Sequence, residues 1–162
     1  MTPEQTVKEE LQKRGIPFEW ISHPAVYTVP DMERLGIRAK GEIAKNLFLR
    51  NANGKQHYLV VLRREKRADL KELRRQLGST QLSFASEERL REHLGLKPGA
   101  VTPLGILNDP EAAVIVVFDR DFVGVECIAV HPNVNTATVV LSFADLLHLV
   151  EEHENPVRYV EI

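Results

Sequence analysis

Two polar, conformationally special stretches interrupt an otherwise apolar C-terminal half: Gly99-Ala100-Val101-Thr102-Pro103 and His131-Pro132-Asn133-Val134-Asn135-Thr136-Ala137-Thr138. Glycine reaches positive φ at little cost and proline fixes the chain four residues later. The first stretch therefore suits a loop that bends sharply and turns backbone N–H groups toward a ligand. Lys45 stands just before the apolar run Asn46-Leu47-Phe48-Leu49 and supplies a lone cation. Together the three pieces describe a pocket that grips an anionic, ester-like ligand. Gly99 and Ala100 are the natural backbone donors for a developing oxyanion.

Other chemistries find little support in the spacing. Cys127 lies inside the apolar run Val125-Glu126-Cys127-Ile128-Ala129-Val130, where a thiol behaves as a small buried hydrophobe rather than a nucleophile. As the single cysteine it excludes an internal disulfide and a multi-cysteine zinc site. Six histidines (His23, His57, His93, His131, His148, His153) show neither HExxH nor Cys/His ligand spacing, so no metal is expected. Asp119 and Asp121 flank Arg120 at a strand end and read as a turn. With no Gly-x-Gly-x-x-Gly and no Walker loop, no cofactor is expected.

The 162 residues, 43% of them hydrophobic, fit a single domain spanning 1–162 with one substantial core. No window approaches the roughly 18 apolar residues of a membrane span, and the N-terminus lacks a basic-then-apolar signal pattern, so a cytoplasmic protein is expected. The net charge of −2 conceals an asymmetry. Residues 34–75 hold 13 of the 21 Lys and Arg against four acids, a local balance of +9, and the rest sums to −11. A cationic segment in an acidic chain fits a limited phosphate contact; a solvated loop and helix face is the alternative.

The elements that must position these residues alternate between helical and extended patterns. Thr2, Pro3 and Gln5 form a capping box at the start of a first helix that Gly15 stops. A short strand follows at 18–21. Strands at 45–50 and 57–62 flank Asn53-Gly54, a hairpin signal, and their apolar residues at both parities predict burial on both faces and a central place in the sheet. Helices are expected at 69–77 and 86–94, closed by Gly78 and Gly95, and at 146–152 after Ser142. Strands are expected at 114–118, 125–130, 139–141 and 157–160. Hairpins mixed with helices favour an α+β domain, a mixed sheet surrounded by helices.

In order and spacing, His23-Pro24-Ala25-Val26-Tyr27-Thr28, Lys45-Asn46-Leu47-Phe48-Leu49, Leu82-Ser83-Phe84, Pro98 to Pro103 with Asn108-Asp109, and His131 to Thr138 resemble the YbaK/prolyl-tRNA synthetase editing-domain superfamily. Within it the chain is most similar to the free-standing ProXp-ala (PrdX-like) branch. The resemblance implies a trans-editing deacylase that hydrolyses mischarged Ala-tRNA(Pro). A deacylase for Cys-, Ser- or Thr-charged tRNA and a non-catalytic tRNA-binding or regulatory domain are the alternatives.

It also implies Lys45 near the phosphate of the terminal adenosine, the Gly99 to Pro103 GXXXP loop with Ala100, Val101 and Thr102 around the scissile ester, and His131 near the aminoacyl group or the ribose. Tyr27, Asn46, Arg50, Asn135 and Thr136 complete the implied substrate contacts; Arg50 stands where some relatives carry lysine. Tyr27, Val101 and the Thr136 region are the expected walls of the acyl pocket. The implied partners are the tRNA acceptor end and, transiently, prolyl-tRNA synthetase. An aminoacyl ester is already activated, so positioning and oxyanion stabilisation suffice, with the water activated by the substrate's ribose hydroxyl or by His131.

Overall fold

Strands β2 (Glu42–Arg50) and β3 (His57–Arg63) form an antiparallel hairpin at the centre of the molecule, as their apolar runs require. The computed structural model describes residues 1–35 and 41–162. The six residues after Arg50 make a longer turn than Asn53-Gly54 alone would: the Asn51 N–H donates to the Gln56 carbonyl at 3.0 Å and the Asn51 side chain accepts from the Gln56 N–H at 3.1 Å.

Around the hairpin the described residues form an eight-stranded mixed sheet in the order β1 (Glu19–Ser22), β7 (Ala137–Ser142), β6 (Cys127–Val130), β2, β3, β5 (Ile115–Asp119), β8 (Val157–Val160), with β4 (Ser83–Phe84) pairing the far end of β2. The β2–β6, β3–β5 and β5–β8 pairs are parallel and the rest antiparallel. This is the expected α+β domain.

Residue parity along each strand divides the core. Leu59, Val61, Phe118, Val130 and Leu141 face the helices α1 (Pro3–Lys13), α4 (Glu87–Leu94) and α5 (Phe143–Glu152). On the opposite face α3 (Leu70–Leu77) sets Leu73 and Leu77 against Leu49, Val60 and Val117. Beside it the short α2 (Val29–Arg34) sets Met32 against Ile43, Ala129 and Val140.

Local signals fix the helix ends: Thr2 and Gln5 make the reciprocal capping box, Asp69, Ser86 and Ser142 cap α3, α4 and α5, and Gly78 and Gly95 close α3 and α4. Helix α2 was not expected, although Thr28 caps it and Pro30 sits in its first turn. Strand β6 starts at Cys127 rather than Val125, because the Val125 N–H closes a turn on the Phe122 carbonyl. Among the described residues no helix is long and apolar enough to cross a membrane.

One irregularity matters for function. On the edge of β2 away from β3, β6 pairs only with Glu42 and Ile43, and β4 only with Leu49 and Arg50. Among the described residues, 44–47 have no strand neighbour on that edge, so the sheet opens there.

Far along the hairpin, His57 is 3% exposed, with the Phe48 and His93 rings at 5.3 and 3.9 Å and an Arg89 N–H donating to its Nε2 at 3.2 Å. Burial, then the positive charges of His93, Arg89 and Arg50, lowers its pKa from 6.5 to about 4. The native state therefore keeps this ring neutral while the unfolded chain takes up a proton below about pH 6.5. Its contribution to stability is complete above pH 6.5 and is lost as the pH falls toward 4. The melting temperature should decline between pH 6.5 and 5, and His57→Gln should flatten that decline in thermal unfolding curves taken across the window; an equal slope in both proteins would contradict it.

Candidate active site

Where β6 diverges from β2, a cavity of ≈ 200 Å³ fills the opening. Its floor is Ile43 to Asn46 of β2 and Ala129 to His131 at the end of β6; Tyr27, Thr28 and Met32 form one wall, Gly99 and Val101 the other. A crevice at the carboxyl end of splaying parallel strands is a common ligand position, because it collects loop residues on rigid supports.

The wall loop is a tight turn. The Ala100 N–H donates back to the Pro98 and Lys97 carbonyls at 2.9 and 3.1 Å, and Gly99 has φ +80°. A Cβ on Gly99 would stand 3.1 Å from Cδ1 of Tyr27, so dihedral and contact both call for glycine. The fully buried Thr102 donates its hydroxyl to the His131 carbonyl at 2.7 Å and accepts from the Leu104 N–H at 3.3 Å, riveting this loop to the next while Pro103 starts a 3₁₀ helix (Pro103–Asn108). Among the described residues, the Gly99 and Val101 N–H groups have no intramolecular acceptor.

The second loop is zipped to the segment carrying Tyr27. The Val26 N–H donates to the Asn135 carbonyl at 3.1 Å, Asn135 Nδ2 donates to the Val26 carbonyl at 2.9 Å, and the His23 N–H donates to the Thr136 carbonyl at 3.0 Å. His131 Nδ1 lies 3.1 Å from the Ala137 carbonyl. Since a carbonyl only accepts, that nitrogen carries the proton, and Nε2 keeps a lone pair that has no partner among the described residues. Burial pushes the His131 pKa below 6.5; the bond to Ala137 opposes this and the neighbouring His23 adds to it. At neutral pH the ring is uncharged.

Lys45 Nζ donates to the Lys66 carbonyl at 2.6 Å. That carbonyl is itself held. The Lys66 ammonium bridges Asp119 Oδ1 at 3.0 Å and Asp121 Oδ2 at 2.7 Å, and the buried Asp119 also accepts the Arg63 and Asp121 N–H groups. Burial opposes charge on Lys66, yet its bonds to Asp121 and Asp119 hold its pKa above the ordinary lysine value. A chain of polar contacts thus runs from the end of β5 to the ammonium at the cavity. Beside it, the buried Asn46 Oδ1 has no hydrogen-bond partner among the described residues, a demand for a donor in the wall itself.

The structure brings Tyr27, Lys45, Asn46, Gly99, Val101 and His131 to one cavity. The others stand elsewhere. Ala100, expected as a donor, spends its N–H inside the turn and is buried, while Gly99 and Val101 line the cavity with N–H groups that have no intramolecular acceptor among the described residues. Thr102 and Pro103 are buried behind the wall and shape it without lining it. Asn135 bridges two loops, Thr136 contributes its carbonyl, and Arg50 lies five residues along β2 from Lys45, about 17 Å away. Sequence reasoning missed Met32 and Thr28, which the Thr28-Val29-Pro30-Asp31 cap pattern could have signalled, and it read Asp119 and Asp121 as a turn only.

The cationic segment is also partly neutralised. Arg63 pairs with Glu42 and Glu65, Arg64 with Glu33 and Glu42, and Arg75 with Glu72. Arg38 and Lys40 lie outside the described residues. Arg67, Lys71 and Arg74 have no acidic partner among the described residues.

Residues 23–149 match the family model of the aminoacyl-tRNA editing domain. Over its full length the chain is 49% identical to the prolyl-tRNA editing protein ProX of Acetoanaerobium sticklandii, covering 99% of that protein. It is 28% identical to the multifunctional Ser/Thr-tRNA deacylase ProXp-y of Escherichia coli, covering 87% of this chain and 84% of that one. A solved structure described as a candidate trans-editing enzyme for prolyl tRNA synthetase shares the fold with a TM-score of 0.76 at 23% identity, over 99% of this chain and 96% of that one. The matched domain and the full-length likeness agree with the cavity at the sheet opening: the chain belongs to the aminoacyl-tRNA editing domain family.

Proposed function

We propose that this protein is a trans-editing aminoacyl-tRNA deacylase whose substrate is alanine wrongly attached to tRNA(Pro). The observation that carries the reading is the small cavity in which unpartnered backbone donors, a neutral histidine and a clamped lysine converge. At ≈ 200 Å³ it is smaller than the roughly 300–1,000 Å³ of sites for drug-sized ligands, and suits a compact acyl group beside a ribose. A synthetase site built for proline cannot strongly exclude alanine, since missing methylenes are worth only about 1–3 kcal/mol, so a second, smaller sieve is needed. Tyr27 and Val101 line the cavity, and in this reading they block a bulkier side chain.

In this reading Lys45 takes the phosphate of the terminal adenosine, and the Asn46 carboxamide meets the polar groups of the aminoacyl moiety. Water attacks the ester carbonyl, and the Gly99 and Val101 N–H groups receive the oxyanion. Each such donor is worth about 2.7–4 kcal/mol in other oxyanion holes. Collapse of the intermediate breaks the acyl–oxygen bond and releases free alanine, the proton given up by the attacking water passing by way of the adjacent ribose hydroxyl to the departing ribose oxygen. Neutral His131 accepts a hydrogen bond at Nε2 from the ribose hydroxyl, which holds the leaving group and the water in place. As a family member acting on tRNA, the protein meets its substrate after release from prolyl-tRNA synthetase or in transient contact with that enzyme.

Deacylation of a panel of charged tRNAs tests the assignment. Ala-tRNA(Pro) should be hydrolysed at least tenfold faster than Pro-tRNA(Pro), and bulky aminoacyl esters hardly at all. Rapid loss of Ser-, Thr- or Cys-tRNA with Ala-tRNA(Pro) intact would reject the substrate and keep the activity.

Lys45→Ala should lower kcat/KM at least tenfold, about 1.4 kcal/mol of transition-state stabilisation. Asp119→Asn, which loosens the Lys66 turn, should lower it several-fold. If Asp119 acts through Lys45, the double variant should be no slower than Lys45→Ala alone; additive losses in the cycle would separate the two residues.

The pH profile gives a further check. Because His131 works as a neutral acceptor with a depressed pKa, kcat/KM should be level through neutrality, and its acidic limb should fall below pH 6.5. A limb above 6.5 that vanishes in His131→Asn would show the opposite protonation state at work.

A further inference from the structure

Helix α3 buries Leu73 and Leu77 and exposes Lys71 and Arg74, neighbours at i and i+3. Between this helix and the segment leading into β4 runs a groove of ≈ 380 Å³ lined by Leu70, Lys71, Arg74, Gln81 and Leu82. Phe84, 63% exposed, follows two residues after Leu82 and pairs in register with Leu49 of β2. A second hollow, formed by Lys71, Arg74, Arg75, Gly78 and Ser79, continues the groove along the same helix.

Two facts tie this groove to the cavity. Leu47, packed in the same cluster as Leu70 and Leu82, shares its side of β2 with Lys45 and Leu49, so cavity and groove open on one face of the sheet. Lys45 and Leu49 are four residues apart, about 13 Å along the strand, a span of at most four nucleotides at ~3.4 Å each when stacked. The selection of charges points the same way. Arg63, Arg64, Lys66 and Arg75 are each neutralised by a carboxylate, whereas Lys71 and Arg74, which border the groove, have no acidic partner among the described residues, as is also the case for Arg50, Lys55 and Arg67 away from it.

We infer that this groove binds the single-stranded 3′ end of the RNA whose terminal aminoacyl-adenosine occupies the cavity, an inference that rests on the reading of the substrate as tRNA. Cations spaced along an apolar floor with an exposed aromatic ring at one end are what single-stranded nucleic acid requires: Lys71 and Arg74 take phosphates, and Phe84 offers the surface on which a base stacks. A duplex would use the cations and leave the ring idle, and an acidic protein surface would have no need of it.

The test is binding, read by fluorescence anisotropy on the full-length protein, so that it does not depend on turnover. The probes are an RNA hairpin ending in an unpaired 3′-CCA and the same hairpin made blunt. Wild type should prefer the overhang. The K71E/R74E double variant should weaken overhang binding at least tenfold and reduce the slope of log K against log salt by about 1.4, since each single-strand phosphate contact contributes ~0.7. Phe84→Ala should weaken it several-fold with the salt slope unchanged. Hydrolysis of the alanyl ester of adenosine alone, which cannot reach the groove, should be the same in all three proteins.

Unchanged affinity in both variants, or equal binding of the blunt hairpin, overturns the proposal; the latter outcome would mark a duplex-binding face. Slowed hydrolysis of the adenosine ester also overturns it, because the groove would then belong to the cavity. Absence of turnover on every charged tRNA would reject the deacylase reading while leaving the binding result to decide the groove.

Discussion

The site exists because β2 cannot be paired along its whole length. Its inner edge is engaged by β3 from Ala44 to Arg50, but its outer edge is shared between β6 at one end and β4 at the other, leaving 44–47 without a strand neighbour on that side among the described residues. In a sheet interior such a gap would leave backbone groups unsatisfied. Here it opens to a cavity, so polar groups remain within reach of solvent or substrate. The hairpin beside the gap is anchored in the core by the fully buried Leu59, Val60 and Val61. Lys45 and Asn46, adjacent in sequence and on opposite faces of the strand, reach one cavity only because the sheet parts between them and β6.

Around that gap, two loops far apart in sequence are fastened into one wall. Thr102 bonds to the His131 carbonyl, and Asn135 and Thr136 bond to the segment that lays Tyr27 over Gly99. These residues fasten the wall together without lining the cavity. The division is physically sensible: a hydroxyl or carboxamide saturated by buried backbone partners is fixed in place, whereas groups left unsatisfied are the ones with capacity for substrate. Asn46 Oδ1 and the N–H groups of Gly99 and Val101 belong to the second kind.

Charge is distributed by the same logic. Arg63, Arg64 and Lys66 of the cationic segment are consumed in ion pairs that tie the turn after β3 to β2, α2 and β5, and one such pair, Lys66 with Asp119 and Asp121, sets the carbonyl that orients Lys45. A sequence-level excess of +9 therefore overstates the field available to an RNA. What matters is the subset of cations with no carboxylate partner among the described residues, and Lys45 beside the cavity and Lys71 and Arg74 on α3 belong to it.

The sequence by itself determined the parts that depend on local physics. The capping box of Thr2 and Gln5, the caps at Asp69, Ser86 and Ser142, the glycine stops at Gly78 and Gly95, and the two-faced burial of β2 and β3 all follow from backbone hydrogen bonding and apolar periodicity within a few residues. The order of motifs also carried the family. Only the tertiary structure decided which residues of each motif face the cavity. Ala100 and Val101 are neighbours, yet one N–H closes a turn while the other has no intramolecular acceptor. Arg50 and Lys45 share a strand, but the sheet parts at only one of them. Asp119 gained its place behind Lys45 from the parallel pairing of β3 with β5, a contact between residues more than fifty positions apart. Pattern within a segment fixes conformation, but the direction of a donor and the partner of a charge depend on distant segments, and no local spacing encodes them.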